Sequence, residues 1–299
     1  MRYEKQTAKL TRALTGMSHS QALHMARTRD CERRNPVPDA HCAHQRAFEA
    51  RLTFALIDAF PDNLQPPGAP WGIAAVRADT TSLDILPAAG ICDDLLAALL
   101  PYHDRAYGGI RGASGTRVTN TDDGWWTLHD LDTGAQVRVA APAPAIPHRT
   151  RPGVATRACR LITAPRLTRE EHRDLSYFER LAQSSPDGWL EHRNVLGSRL
   201  LRRPGLIRTI AEVHGSANIY SHSSTDVVFE WCCGPSSDDI IRACRRAGVT
   251  ADLAGHPLPG TAIDRGSDFS ARLHVGRAEL YLRHNKWICP GEQPELSAQ

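Results

Sequence analysis

The sequence predicts an α+β protein: two related helix-strand-strand-helix-meander domains behind a small helical segment. Three observations lead there. Apolar residues recur at helical spacing in some stretches and at alternate positions in others, in the same order in each half of the chain. Turns rich in Gly and Asp separate those stretches. Short motifs also recur 145 positions apart: Asp93-Asp94 with Asp238-Asp239, Gly115-Thr116 with Gly260-Thr261, and Leu128-His129 with Leu273-His274.

The first 30 residues read as two short helices. Leu10, Ala13, Leu14 and Met17 form an apolar stripe, Gly16 stops the first helix, and Ser18-His-Ser-Gln21 is a capping box that starts the second. The helical segment spans residues 1–40 and ends in the Pro-containing connector Asn35–Pro38. A first domain, 41–140, opens on a helix from His41 to Ala59 with Phe48, Leu52, Ala55, Leu56 and Ala59 on one face. Strands over 72–78 and 82–86, a helix over 93–101, and hairpins turned at Asp122-Asp-Gly124 and Asp132-Thr-Gly134 follow. Residues 141–156 are a Pro/Arg-rich linker. The second domain, 157–288, carries an inserted helix opened by the capping box Thr168-Arg-Glu-Glu171. A helix around Leu206, Ile210 and Val213 follows, then strands over 218–222 and 227–231, a helix over 238–247 and a closing meander. Residues 289–299 form a tail.

Each Asp pair starts an apolar helix, where a carboxylate complements the dipole and caps free N–H groups. Cys232-Cys233 stands in the second half where the first has Ala88-Ala89, so a thiol site would belong to one half only. On a strand running through both, one thiol is buried and the other exposed.

Composition fits a soluble globular protein, with 41% hydrophobic and 23% charged residues and a formal charge of +3. That charge is too small by itself to demand a nucleic-acid partner, but its distribution is uneven. Residues 1–34 hold eight Arg or Lys against three acids, and residues 133–169 hold seven arginines and no acid. Of 36 basic residues 33 are arginine, a bias that GC-rich coding also produces. No signal peptide or membrane span is legible, which predicts a cytoplasmic protein with no membrane partner and with reduced cysteines.

Two features resemble known modules. Phe60-Pro61 after a helix, the strand end Val76-Arg77 and the turn Trp231-Cys-Cys-Gly-Pro235 are similar to a large polyvalent protein-associated domain of phages and conjugative elements. In this chain Cys233 takes the place of the acid expected there, and the first half lacks the Gly-Pro. Leu14-Thr-Gly-Met-Ser-His-Ser-Gln-Ala-Leu23 resembles a segment that opens many actinobacterial mobile-element proteins. The resemblance implies a plasmid or phage context and supplies no catalytic residues.

The functional expectation is therefore a non-enzymatic accessory protein that acts through protein contacts or non-specific nucleic-acid binding. Arg2, Lys5, Lys9, Arg12, Arg149, Arg151, Arg202 and Arg203 are the residues expected to touch phosphate. The alternative is an enzyme with a cleft between the two domains, using His129, His274, Asp93 or Asp238. No cofactor is expected. Cys31, His41, Cys42 and His44, with His24 as a further ligand, are the best metal candidates, and their spacing matches no standard zinc knuckle.

Overall fold

The computed structural model describes residues 2–28, 35–60, 69–105, 107–121, 124–140, 159–184, 188–211, 217–221, 226–232, 234–250, 263–264 and 270–285. Within these it is a mixed α/β structure of eight helices and three sheets, in keeping with the expected α+β class.

The fold is organised around one helix pair: α3 (Ala43–Ala59) and α6 (Trp189–Leu201) make the most extensive contact between elements among the described residues. Their close approach has a specific cause. A Cβ at Gly197 would sit 2.7 Å from Ala50 Cβ, so glycine on α6 facing alanine on α3 lets the backbones meet. Thr53 Oγ1 then donates across the crossing to the Gly197 carbonyl at 2.7 Å. Phe48, Leu52 and Leu56 of α3 and Leu196, Leu200 and Leu201 of α6 bury fully around this contact.

One five-stranded sheet uses β1 (Ile73–Ala78), β2 (Leu83–Pro87), β7 (Gln136–Ala140), β6 (Trp125–Asp130) and β5 (Thr116–Thr121), in that spatial order. The other uses β9 (Ala217–Tyr220), β10 (Asp226–Trp231), β13 (Ala278–His284), β12 (Ser270–Val275) and β11 (Ile263–Asp264), again in that order. In each, the second and third strands are parallel, β2 with β7 and β10 with β13, and every other pairing is antiparallel. The crossover between the parallel strands carries α4 (Cys92–Leu99) in the first case and α8 (Ser237–Arg246) in the second. The apolar core is continuous from Leu14 and Phe48 through Ile85 and Leu128 to Phe229 and Leu282, so both sheets and the helix pair share it.

The remaining elements sit around this frame. A small sheet joins β3 (Tyr102–Asp104), β4 (Gly109–Arg111) and β8 (Cys159–Leu161), so residues from beyond 156 pair with the first half. Helix α5 (Arg169–Gln183) opens on the expected capping box, with Thr168 and Glu171 exchanging side-chain and backbone hydrogen bonds. Helices α1 (Arg2–Thr15) and α2 (His19–Thr28) are joined through Gly16, and Ser18 and Gln21 make the expected reciprocal bonds. Gly16 has φ +73°, and a Cβ there would lie 2.2 Å from the Ala74 carbonyl oxygen of β1, so the turn tolerates only glycine.

Several expectations change. The buried face of α1 is Ala8, Thr11, Leu14 and Thr15, while Ala13 is exposed. Thr11 Oγ1 donates to the Pro36 carbonyl at 2.8 Å, which makes a threonine an interior residue there. Asp93 and Asp94 stand in the first turn of α4, but its N-cap, Ile91, makes no side-chain cap. In α8 it is Ser236 that caps, with Asp239 as its capping-box partner. Strand β10 is buried on both faces from Val227 to Trp231, so strict alternation does not hold there. Helix α6 lies in a stretch for which no element was expected, and α7 (Pro204–Ala211) follows it. The expected linker 141–156, the 122–123 turn, Cys233 and the tail lie outside the described residues.

A buried charge network ties the helix pair to its surroundings. Arg202 donates Nε to Glu49 Oε2 at 2.7 Å and Nη2 to Glu49 Oε1 at 2.6 Å, and both side chains are fully buried. Glu49 also accepts from Ser198 Oγ at 2.6 Å and Gln45 Nε2 at 2.9 Å. Glu49→Ala leaves the Arg202 guanidinium buried and unpaired and is expected to cost about 3–5 kcal/mol in urea unfolding. The double change E49L/R202L is expected to cost much less than that single variant, because it removes both charges together.

Candidate functional site

Arg202 and Arg203, just past the C-terminal end of α6, have a different role from the one expected. Arg202 and Arg203 have no exposed surface. Arg203 donates Nε to the Ala247 carbonyl and Nη2 to Asp39, Asn35 and the Val37 carbonyl. Arg199 pairs with Asp39 at 2.7 Å and donates to the Val249 carbonyl. Burial lowers the Arg203 guanidinium to about 10, with Asp39 opposing that shift. Burial pushes the Asp39 carboxyl up, but Arg203 and Arg199 outweigh it and hold the acid below its ordinary range. Arg202 and Arg203 therefore offer no donor to an external phosphate: their forks are spent on carboxylates and carbonyls inside the fold.

The other expected phosphate contacts divide by position. Lys5, Lys9 and Arg12 are exposed on α1, at spacing i, i+4, i+7, with the buried face of that helix turned the other way. None makes an ion pair with a described residue. The backbone of Arg2 lies in α1, and its side chain, with Arg149 and Arg151, falls outside the described residues. A further exposed basic group, Arg242, Arg245 and Arg246, lies on α8, with Arg242 paired to Asp239 at 2.5 Å. Helix α7 packs against both α1 and α8.

The histidines expected for an enzyme do face away from their core-facing neighbours: Leu128 and Leu273 are fully buried, while His129 and His274 are half-exposed. They belong to different sheets. His129 Nε2 and Thr119 Oγ1 are hydrogen-bonded at 2.9 Å, and His274 Nδ1 stands 3.6 Å from Glu279. Asp93 and Asp238 are exposed at the starts of α4 and α8. Cys42 and His44 are exposed, Cys31 lies outside the described residues, and no cluster of metal-binding side chains forms among the described residues. Cys42, Cys92 and Cys244 are free thiols. Burial raises Cys92 to about 11 and Cys244 to about 12, which leaves both as weak nucleophiles at neutral pH.

Arg193 and Arg51 belong to another polar cluster, where α3, α5 and α6 meet the end of β6. Arg193 of α6 is 7% exposed. Its guanidinium lies 3.6 Å from the centre of the Phe54 ring and 4.6 Å from that of Phe178. Its Nε is buried without an acceptor, and among the described residues no carboxylate pairs with it. Burial, with a smaller contribution from Arg51, lowers this guanidinium to about 10. Arg51 of α3 reaches the Asp130 carboxylate at 2.6 Å. Asp130 also accepts from the Thr133 hydroxyl and the Asp132 N–H. The signal that could have pointed here is the spacing Arg51-x-x-Phe54 on a helix, which puts cation and ring on one face.

Helix α5 is clamped over this region by Glu171. Its carboxylate takes Arg117 Nη1 at 2.7 Å and Nη2 at 2.8 Å, and the N–H groups of Gly115 and Thr168. Burial raises this acid, but the Arg117 and backbone hydrogen bonds overcome it and hold it at about 2, against an ordinary 4.5. A depressed carboxylate contributes stability above its unfolded value and loses it as pH falls through the folded one. The Glu171→Gln variant is expected to be less stable than wild type at pH 7 in urea unfolding. The gap should close as pH falls from about 4.5 towards about 2.

Comparison with known proteins found no matching family model, no similar curated protein and no similar solved structure, so the chemistry above rests on geometry alone.

Proposed function

We propose that the chain is a non-enzymatic accessory protein that binds nucleic acid non-specifically through the basic face of α1. The single supporting observation is the row Lys5, Lys9 and Arg12: three exposed cations, one helical face, and no ion pair with a described residue to neutralise them. The opposite face of α1 is anchored by Ala8, Thr11, Leu14 and Thr15, so the row is held on a fixed element rather than a free arm. Cations displayed this way bind phosphate by releasing condensed counterions and carry no base-reading geometry. A plasmid or phage context is part of the same reading, and it rests on the resemblances of residues 14–23, Val76-Arg77 and Trp231–Pro235. The matching strand orders of the two five-stranded sheets support an origin of the two halves as copies of one unit.

Binding of fluorescein-labelled duplex DNA and of single-stranded RNA should weaken with salt, with a log–log slope of about −2 to −3 for three phosphate contacts. Replacing Lys5, Lys9 and Arg12 together by Gln should flatten that slope to near zero and leave the urea midpoint unchanged, since all three are exposed. Absent binding, or binding indifferent to salt, sinks the proposal and leaves a protein-contact role in its place.

A further inference from the structure

We propose that Arg193, with Arg51 beside it, forms a binding site for the oxyanion of a small molecule, a carboxylate or phosphate group, where α3, α5 and α6 meet. Charge accounting leads to this. The buried acids on the surrounding elements are all committed elsewhere: Glu49 to Arg202, Glu171 to Arg117, and Asp130 to Arg51. Arg193 is the cation left over, at 7% exposure and with no acidic partner among the described residues. An isolated charge that deep is costly unless something neutralises it.

The local geometry says which part of Arg193 is available. Phe54 and Phe178 lie near its guanidinium, 3.6 and 4.6 Å from ring centre to Cζ, and rings at that range engage the π-faces of the cation. That leaves the N–H edge, whose Nε is buried without an acceptor. A guanidinium edge is the planar fork that carboxylate and phosphate oxygens match in pairs. Arg51 lies one helical turn before Phe54 on α3, and the Gly197–Ala50 contact brings α3 and α6 together there. With Asp130 balancing Arg51, the cluster is left with one net positive charge, which a single oxyanion satisfies. At this depth the ligand is a small molecule rather than a polymer backbone.

The site is independent of the basic row on α1, and the test separates them. Inorganic phosphate and acetate are titrated against the full chain, with chloride matched for ionic strength, and thermal unfolding is followed. The expected result is a Tm rise of about 5 °C with one of the two oxyanions, at concentrations far above its Kd, and none with chloride. A response to phosphate alone identifies a phosphate ligand, and a response to acetate alone a carboxylate. Arg193→Met should abolish the rise and keep a cooperative transition, because it keeps an unbranched side chain between the rings. Arg51→Gln should weaken the rise at least tenfold in apparent Kd. The variant K5Q/K9Q/R12Q should respond like wild type. Equal shifts in chloride and in both oxyanions, or a full response in Arg193→Met, would overturn the site. If Arg193→Met fails to fold, Arg193→Lys serves instead: it keeps the charge but loses the fork, and an undiminished response there would also overturn it.

Discussion

The constraint on which the rest of this structure depends is the burial of charged side chains at the crossing of α3 and α6. Glu49, Asp39, Arg199, Arg202 and Arg203 are removed from water together and satisfy one another almost completely. The guanidiniums do more than pair with acids. They also collect the carbonyls of Pro38, Asp79, Ala247 and Val249. A connector, a strand end and a helix end are thereby fastened to one helix. Such a network adds little net stability compared with a well-packed apolar core, but it penalises any alternative arrangement that leaves one member unpaired. Its use is to specify the position of α6, and arginine suits it because one planar group reaches several acceptors.

That fixed crossing has consequences on both sides. The two sheets approach the helix pair and share its core, so the halves of the chain are not two separate interiors. On the other flank, α5 is held down by Glu171 and Arg117, and brings Phe178 against Arg193. The contrast between the two arginine groups is informative. Arg202 is buried with its acid and four further acceptors or donors around the pair, whereas Arg193 is buried against rings and lacks an acidic partner among the described residues. The same residue type, on the same helical segment, is closed in one place and left open in the other.

Much of the element order was legible because it is local. Ser18 with Gln21 and Thr168 with Glu171 mark helix starts through contacts made within four residues, and the structure keeps both. The alternation in Leu128-His129 and Leu273-His274 places each pair correctly on its sheet. Helix α6 was not legible. Its buried face includes Arg193, Ser198 and Arg199, so an apolar-stripe search sees a polar run interrupted by Gly197. A buried arginine and a solvated one are the same letter, and only a partner distant in sequence distinguishes them. Glu49 lies 153 positions from Arg202.

The sequence by itself determined the α+β class, the capping boxes, the Gly16 turn, and the exposed cationic row of α1. All of these follow from steric and hydrogen-bonding preferences that act over one or two turns of chain. Tertiary structure alone decided which charges are interior, that β8 pairs back onto β3, and that Arg193 packs against two rings with no carboxylate partner among the described residues. Those outcomes depend on which side chains meet across long separations, and on the low dielectric of the interior they create. There, pairing or its absence outweighs any local preference.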